Sequence, residues 1–91
     1  MLNAAVGAPF EVVLGSAPGT GYMWEPLALP DGVRLLTTGF SEKPGAAIGD
    51  AGTQVFALQA QQPGRLRLRF VLKRRWEAAP IETRTVEVEV R

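Results

Sequence analysis

Arg65-Leu66-Arg67-Leu68-Arg69-Phe70 is the stretch whose pattern decides the fold. Continued through Leu72 and Lys73, it puts Leu66, Leu68, Phe70 and Leu72 on one side, with Arg65, Arg67, Arg69 and Lys73 on the other. An extended strand alternates its side chains with period two, whereas a helix would scatter these apolar residues around its circumference. Pro63-Gly64 just before the run marks a tight turn. Near the end of the chain Val86, Val88 and Val90 repeat the pattern, with Glu87, Glu89 and Arg91 outward.

Working back toward the N-terminus, the same period recurs. Phe10, Val12 and Leu14 share a face, as do Tyr22 and Trp24. Gly32 to Thr38 is an apolar and β-branched run after the turn signal Leu29-Pro30-Asp31-Gly32. Gln54 to Ala60 alternates, with Phe56 and Leu58 to one side and Gln59 to the other. No long segment keeps the helical period. The expectation is an all-β fold, an antiparallel β-sandwich of six to eight short strands with residues 1–91 as a single domain.

Composition removes whole classes of chemistry. The chain has 91 residues, no Cys and no His. That excludes disulfides, thiol nucleophiles, Ser-His-Asp triads and metal sites built on imidazole or thiolate. Glu25, Asp31, Glu42 and Glu82 read as solvated charges, and nothing gathers two of them into a glycosidase pair. No catalytic residue, metal or cofactor is expected. A net charge of +1 gives no general attraction to nucleic acid or acidic membranes. The first residues contain neither a basic n-region nor an unbroken apolar run, so no signal peptide or membrane span is expected in this chain. Localisation stays open between the cytoplasm and export after a trimmed leader.

Charge also suggests how the last two strands meet. Antiparallel pairing with Arg69 opposite Glu87 and Arg67 opposite Glu89 satisfies both pairs in one register, each contributing roughly 0.2–1 kcal/mol. The arginine row then belongs to a strand pair and not to a nucleic-acid surface, which would also need interleaved stacking aromatics. Outward faces this charged make a monomer the expected state.

The pairing leaves a connection from about Lys73 to Thr83 that carries Arg74-Arg75-Trp76-Glu77. Trp and Arg are the residues most enriched in interface hot spots. Trp76 has two readings: it closes the end of the sandwich, or it stands out as a contact residue. A second unusual connection is Ala17-Pro18-Gly19-Thr20-Gly21, rigid and small, leading into Tyr22 and Trp24. Trp24 is expected in the core, while Tyr22 is either a lid on the core or a contact. A third, Gly45 to Thr53, is rich in Gly and Ala. In a sandwich the second-to-third and sixth-to-seventh strand connections emerge at the same end. The tips around Thr20 and Trp76 are therefore expected as neighbours, with Gly49-Asp50-Ala51-Gly52 within reach.

These residues resemble the chagasin-like inhibitors of papain-type cysteine peptidases. The family's first loop reads Asn-Pro-Thr-Thr-Gly-(Phe/Tyr)-x-Trp. Pro18, Thr20, Gly21, Tyr22 and Trp24 match it, with Ala17 for Asn and Gly19 for the first Thr. In the second, Gly-x-Gly-Gly followed by Thr, the matches are Gly49, Gly52 and Thr53, with Ala51 replacing a Gly. In the third, Arg-Pro-(Trp/Phe), they are Arg74 and Trp76, with Arg75 replacing Pro.

The resemblance implies an immunoglobulin-like sandwich that inhibits a papain-like cysteine peptidase reversibly, through three adjacent loops that are not cleaved. Thr20 and the Gly19–Gly21 backbone would approach the catalytic thiol, where only a thin backbone fits. Trp76 would lie against an apolar wall, Arg74 and Arg75 would meet acidic rim groups, and the backbone of Gly49–Gly52 would engage the other wall. Ala17, Ala51 and Arg75 depart from the pattern and imply a weaker or differently selective inhibitor. The competing function is an immunoglobulin-like interaction module with no peptidase target.

Overall fold

A computed structural model of the protein describes residues 1–16, 21–41 and 52–91. Seven strands run in order: β1 (Leu2–Ala4), β2 (Pro9–Ser16), β3 (Tyr22–Ala28), β4 (Val33–Ser41), β5 (Gly52–Ala60), β6 (Gly64–Arg74) and β7 (Glu82–Val90). One sheet has the order β1-β7-β6-β3 and the other β2-β5-β4. All pairings are antiparallel except that of β1 with β7. This is an immunoglobulin-like β-sandwich.

The alternation read from the sequence fills the space between the sheets. Val12 and Leu14 of β2, Phe56, Leu58 and Ala60 of β5, Leu68 and Phe70 of β6, and Val88 and Val90 of β7 are all buried. Phe56 and Phe70 meet across the two sheets, ring centroids 4.9 Å apart and planes tilted by 45°. Each fully buried large side chain contributes about 1.5–3 kcal/mol over its exposed state. Trp24 on β3 joins this core at 3% exposure.

Two local readings are corrected. The β6–β7 register is two residues away from the expected one: Arg67 faces Glu87 and Arg65 faces Glu89, leaving Arg69 opposite Thr85. A slip of two residues keeps every side chain on its own face, and either register pairs Arg with Glu twice, so charge does not discriminate between them. The turn does. Glu77 N–H donates to the Arg74 carbonyl at 3.0 Å and Ile81 N–H to the Leu72 carbonyl at 2.8 Å. These bonds limit the connection to residues 75–81 and pin Leu72 opposite Glu82. Arg67 Nε lies 3.3 Å from Glu87 Oε1, but both side chains are largely in solvent, so the pair is worth about 0–1 kcal/mol. The second correction concerns β4, which continues past Thr38 to Ser41. Gly39 and Phe40 stay in the ladder opposite Val55 and Gln54, with a bulge between Leu35 and Thr37.

Candidate functional site

The strand ends that flank three connections meet at one end of the sandwich. Ser16 at the end of β2 pairs with Gly52 at the start of β5, and Ser41 at the end of β4 pairs with Thr53. In the other sheet Tyr22 at the start of β3 pairs with Arg74 at the end of β6. The Trp24 indole Nε1 donates to the Gly15 carbonyl at 2.7 Å and ties the two sheets together beneath this rim. Gly21, Tyr22, Gly52, Arg74, Arg75 and Trp76 are thus gathered at the bases of the connections 17–21, 42–51 and 75–81. Pro18, Gly19 and Thr20, with Gly49, Asp50 and Ala51, lie outside the described residues.

The first and third connections touch. Gly21 has φ of +85°, and a Cβ built on it would lie 3.0 Å from Trp76 Cη2 and 3.8 Å from Arg74 Cγ. The indole edge therefore rests on bare backbone. Trp76 nonetheless remains 73% exposed. It does not plug the sandwich; it leans on its neighbour and presents most of its surface outward.

Arg74 braces this arrangement from within. Its guanidinium carbon is 4.4 Å from the centroid of the Tyr22 ring and 5.9 Å from that of Trp76. Nη1 also lies 3.4 Å from Glu77 Oε1. Cation–π contacts at partly exposed sites contribute about 0.5–1 kcal/mol each, enough to bias two ring orientations at once. Tyr22, half-buried beneath this guanidinium, is both lid and brace. Arg75 is exposed. Beside the rim a groove of about 360 Å³ opens between the edge strands β3 and β4, floored by Trp24, Gln54 and Phe56 with Lys73 and Arg75 on its lip.

Glu25 pairs with Lys73 at 3.5 Å and Glu82 with Arg84 at 3.0 Å. Among the described residues no cluster of acidic side chains could hold a metal ion. Two contributors escaped the sequence reading. Glu77 gave no signal beyond standing three residues from Arg74. Gln54 did give one, because it is a polar residue at an inward position of β5.

Gly21→Ala tests the contact between the two connections. A non-glycine residue in the left-handed region costs about 1–2 kcal/mol, and the added methyl must push the indole aside. Denaturant unfolding should show a loss of that size, accompanied by a changed Trp fluorescence spectrum of the folded state. A variant as stable as the parent, with an unaltered spectrum, would mean that the indole does not rest there.

Known proteins share this architecture. Residues 3–90 match the family model described as "Chagasin family peptidase inhibitor I42". Among solved structures, the crystal structure of the cysteine protease inhibitor EhICP2 from Entamoeba histolytica superposes with a TM-score of 0.77 at 22% identity, covering 99% of this chain and 85% of that one. The solution structure of amebosin superposes with a TM-score of 0.73 at 26% identity, covering 99% and 87%. Among curated proteins, none matches the sequence significantly.

Proposed function

Because the chain belongs to the chagasin family of peptidase inhibitors, we propose that it blocks the active-site cleft of a papain-like cysteine peptidase with the rim described above. The protein is a reversible inhibitor of such peptidases and not an enzyme. The observation that carries the rim assignment is the exposed Trp76 indole lying on Gly21, which makes one wedge of two connections.

In this reading Pro18, Gly19, Thr20 and Gly21 enter the cleft beside the catalytic thiol, where small residues let the backbone come close. Tyr22 supports them from behind. Trp76 covers an apolar wall of the cleft, and Gly49, Asp50, Ala51 and Gly52 meet the opposite wall. The two arginines divide their work: Arg74 spends its charge inside the molecule on Tyr22, Trp76 and Glu77, while Arg75 faces outward toward acidic groups. An exposed rim charge changes the encounter rate more than the final affinity. Ala17, Ala51 and Arg75 depart from the family pattern, so binding is weaker or differently selective relative to a full-motif member. The inhibitor acts as a monomer without nucleic acid or membrane. In support, Arg65 and Arg67 of β6 face Glu89 and Glu87 across the ladder.

Active-site protection tests this mode of action. A peptidase saturated with the protein should lose the reactivity of its catalytic thiol toward an alkylating reagent, and mass spectrometry should recover the inhibitor intact. Full alkylation at saturation, or cleavage within residues 17–21, would contradict it.

A further inference from the structure

Gln54 is the one buried polar side chain among the described residues, at 2% exposure. The other fully inward residues of β5, Phe56, Leu58 and Ala60, are apolar. Its amide reaches across to the opposite sheet. Oε1 accepts from the Trp24 backbone N–H at 2.8 Å, and Nε2 donates to the Trp24 carbonyl at 2.7 Å. β3 is an edge strand of its sheet, where main-chain groups lack a ladder partner on the open side unless something else supplies one. A side-chain amide offers one donor and one acceptor side by side, as a neighbouring strand would. Trp24 makes a third bond through its indole, to the Gly15 carbonyl.

The places of these residues along the chain give the network its significance. Gly15 stands just before the connection 17–21 and Trp24 just after it. Gln54 stands just after the connection 42–51. Three hydrogen bonds thus join the bases of the first two connections, while Tyr22 paired with Arg74 joins the third. We propose that Gln54 is a positioning residue of the inhibitory rim. Its amide holds the strand ends beneath the connections in one fixed relation, so the described base of the rim meets the target already in place. This rests on the reading of the rim as the peptidase-binding surface. Order present before binding need not be imposed during it, and its loss appears mainly as faster dissociation.

The test compares Gln54→Met, which fills similar space with neither bond, and Gln54→Glu, which keeps an acceptor for the Trp24 N–H. Val90→Ala serves as a stability control, because Val90 is buried at the opposite pole beside Gly64. Amide hydrogen exchange is followed at Tyr22, Trp24 and Thr53, alongside association and dissociation rates with papain. Gln54→Met should speed both exchange at these amides and dissociation by about tenfold or more, with association changed little. Gln54→Glu should fall between it and the parent, and should serve as the main probe if Gln54→Met does not fold. Val90→Ala should lower the melting temperature without altering either readout. Variants that only lose melting temperature, or that change exchange without dissociation or the reverse, overturn the proposal. If the parent protein inhibits no peptidase, the assignment of the rim fails separately. Rim exchange then decides the role of Gln54 alone: faster exchange upholds it and unchanged exchange refutes it.

Discussion

Trp76→Ala weakens inhibition of a papain-like cysteine peptidase by about 30-fold or more, equivalent to ~2 kcal/mol, and leaves the melting temperature close to that of the parent. The two halves of this expectation have one source. At 73% exposure the indole buries little surface on folding, so its removal costs the fold almost nothing. In the proposed mode of binding, the same surface is what a cleft wall covers. Arg74 and Gly21 already hold the ring in place, so little side-chain entropy is lost when the complex forms. Trp76→Phe, with a smaller ring in the same place, should fall between. Inhibition constants within about threefold of the parent, well below the hot-spot range, would remove Trp76 from the contact surface.

Phe56→Ala has the opposite signature, a large loss of stability. Phe56 is 1% exposed and stacks at a tilt on Phe70 from the facing sheet. Truncating a buried Phe costs about 3–5 kcal/mol, because the surroundings relax only partly into the space left behind. A domain of this length has a total stability on the order of 5–14 kcal/mol, so this loss is between roughly a fifth and the whole of it. Urea titration followed by circular dichroism measures the loss. A change below about 1 kcal/mol would mean that the space between the sheets is not close-packed at this point.

The architecture was legible because strands announce themselves locally. Arg65 to Phe70 alternates so regularly that no other element accommodates it, and the same period returns at Val86, Val88 and Val90. Trp24 was readable as core from its spacing behind Tyr22. Register was not readable, because a two-residue slip preserves every face and pairs arginine with glutamate either way. The turn bonds from Glu77 N–H to the Arg74 carbonyl and from Ile81 N–H to the Leu72 carbonyl select between the alternatives, and turn geometry of that kind has no signature in composition. The extension of β4 was hidden by Gly39, which reads as a break yet sits within the ladder.

At the site, Gly21, Tyr22, Arg74 and Trp76 were recognisable by residue type: glycine where backbone must be bare, aromatics and arginine at a strand end. The inward use of Arg74 was not. An arginine in a connection reads as pointing to solvent until two rings are found beside it. Gln54 passed unremarked, although it is a polar residue at an inward position of β5. Its partner is the backbone of a residue thirty positions earlier in the chain, and a main-chain acceptor leaves no trace in the sequence.

The most direct measurement is a titration of the protein into papain and a cathepsin while hydrolysis of a fluorogenic peptide is followed. Inhibition that rises with protein, yields to added substrate and reverses on dilution is the predicted result. Unchanged hydrolysis by every papain-like peptidase tried, at micromolar protein, would contradict the account at its centre.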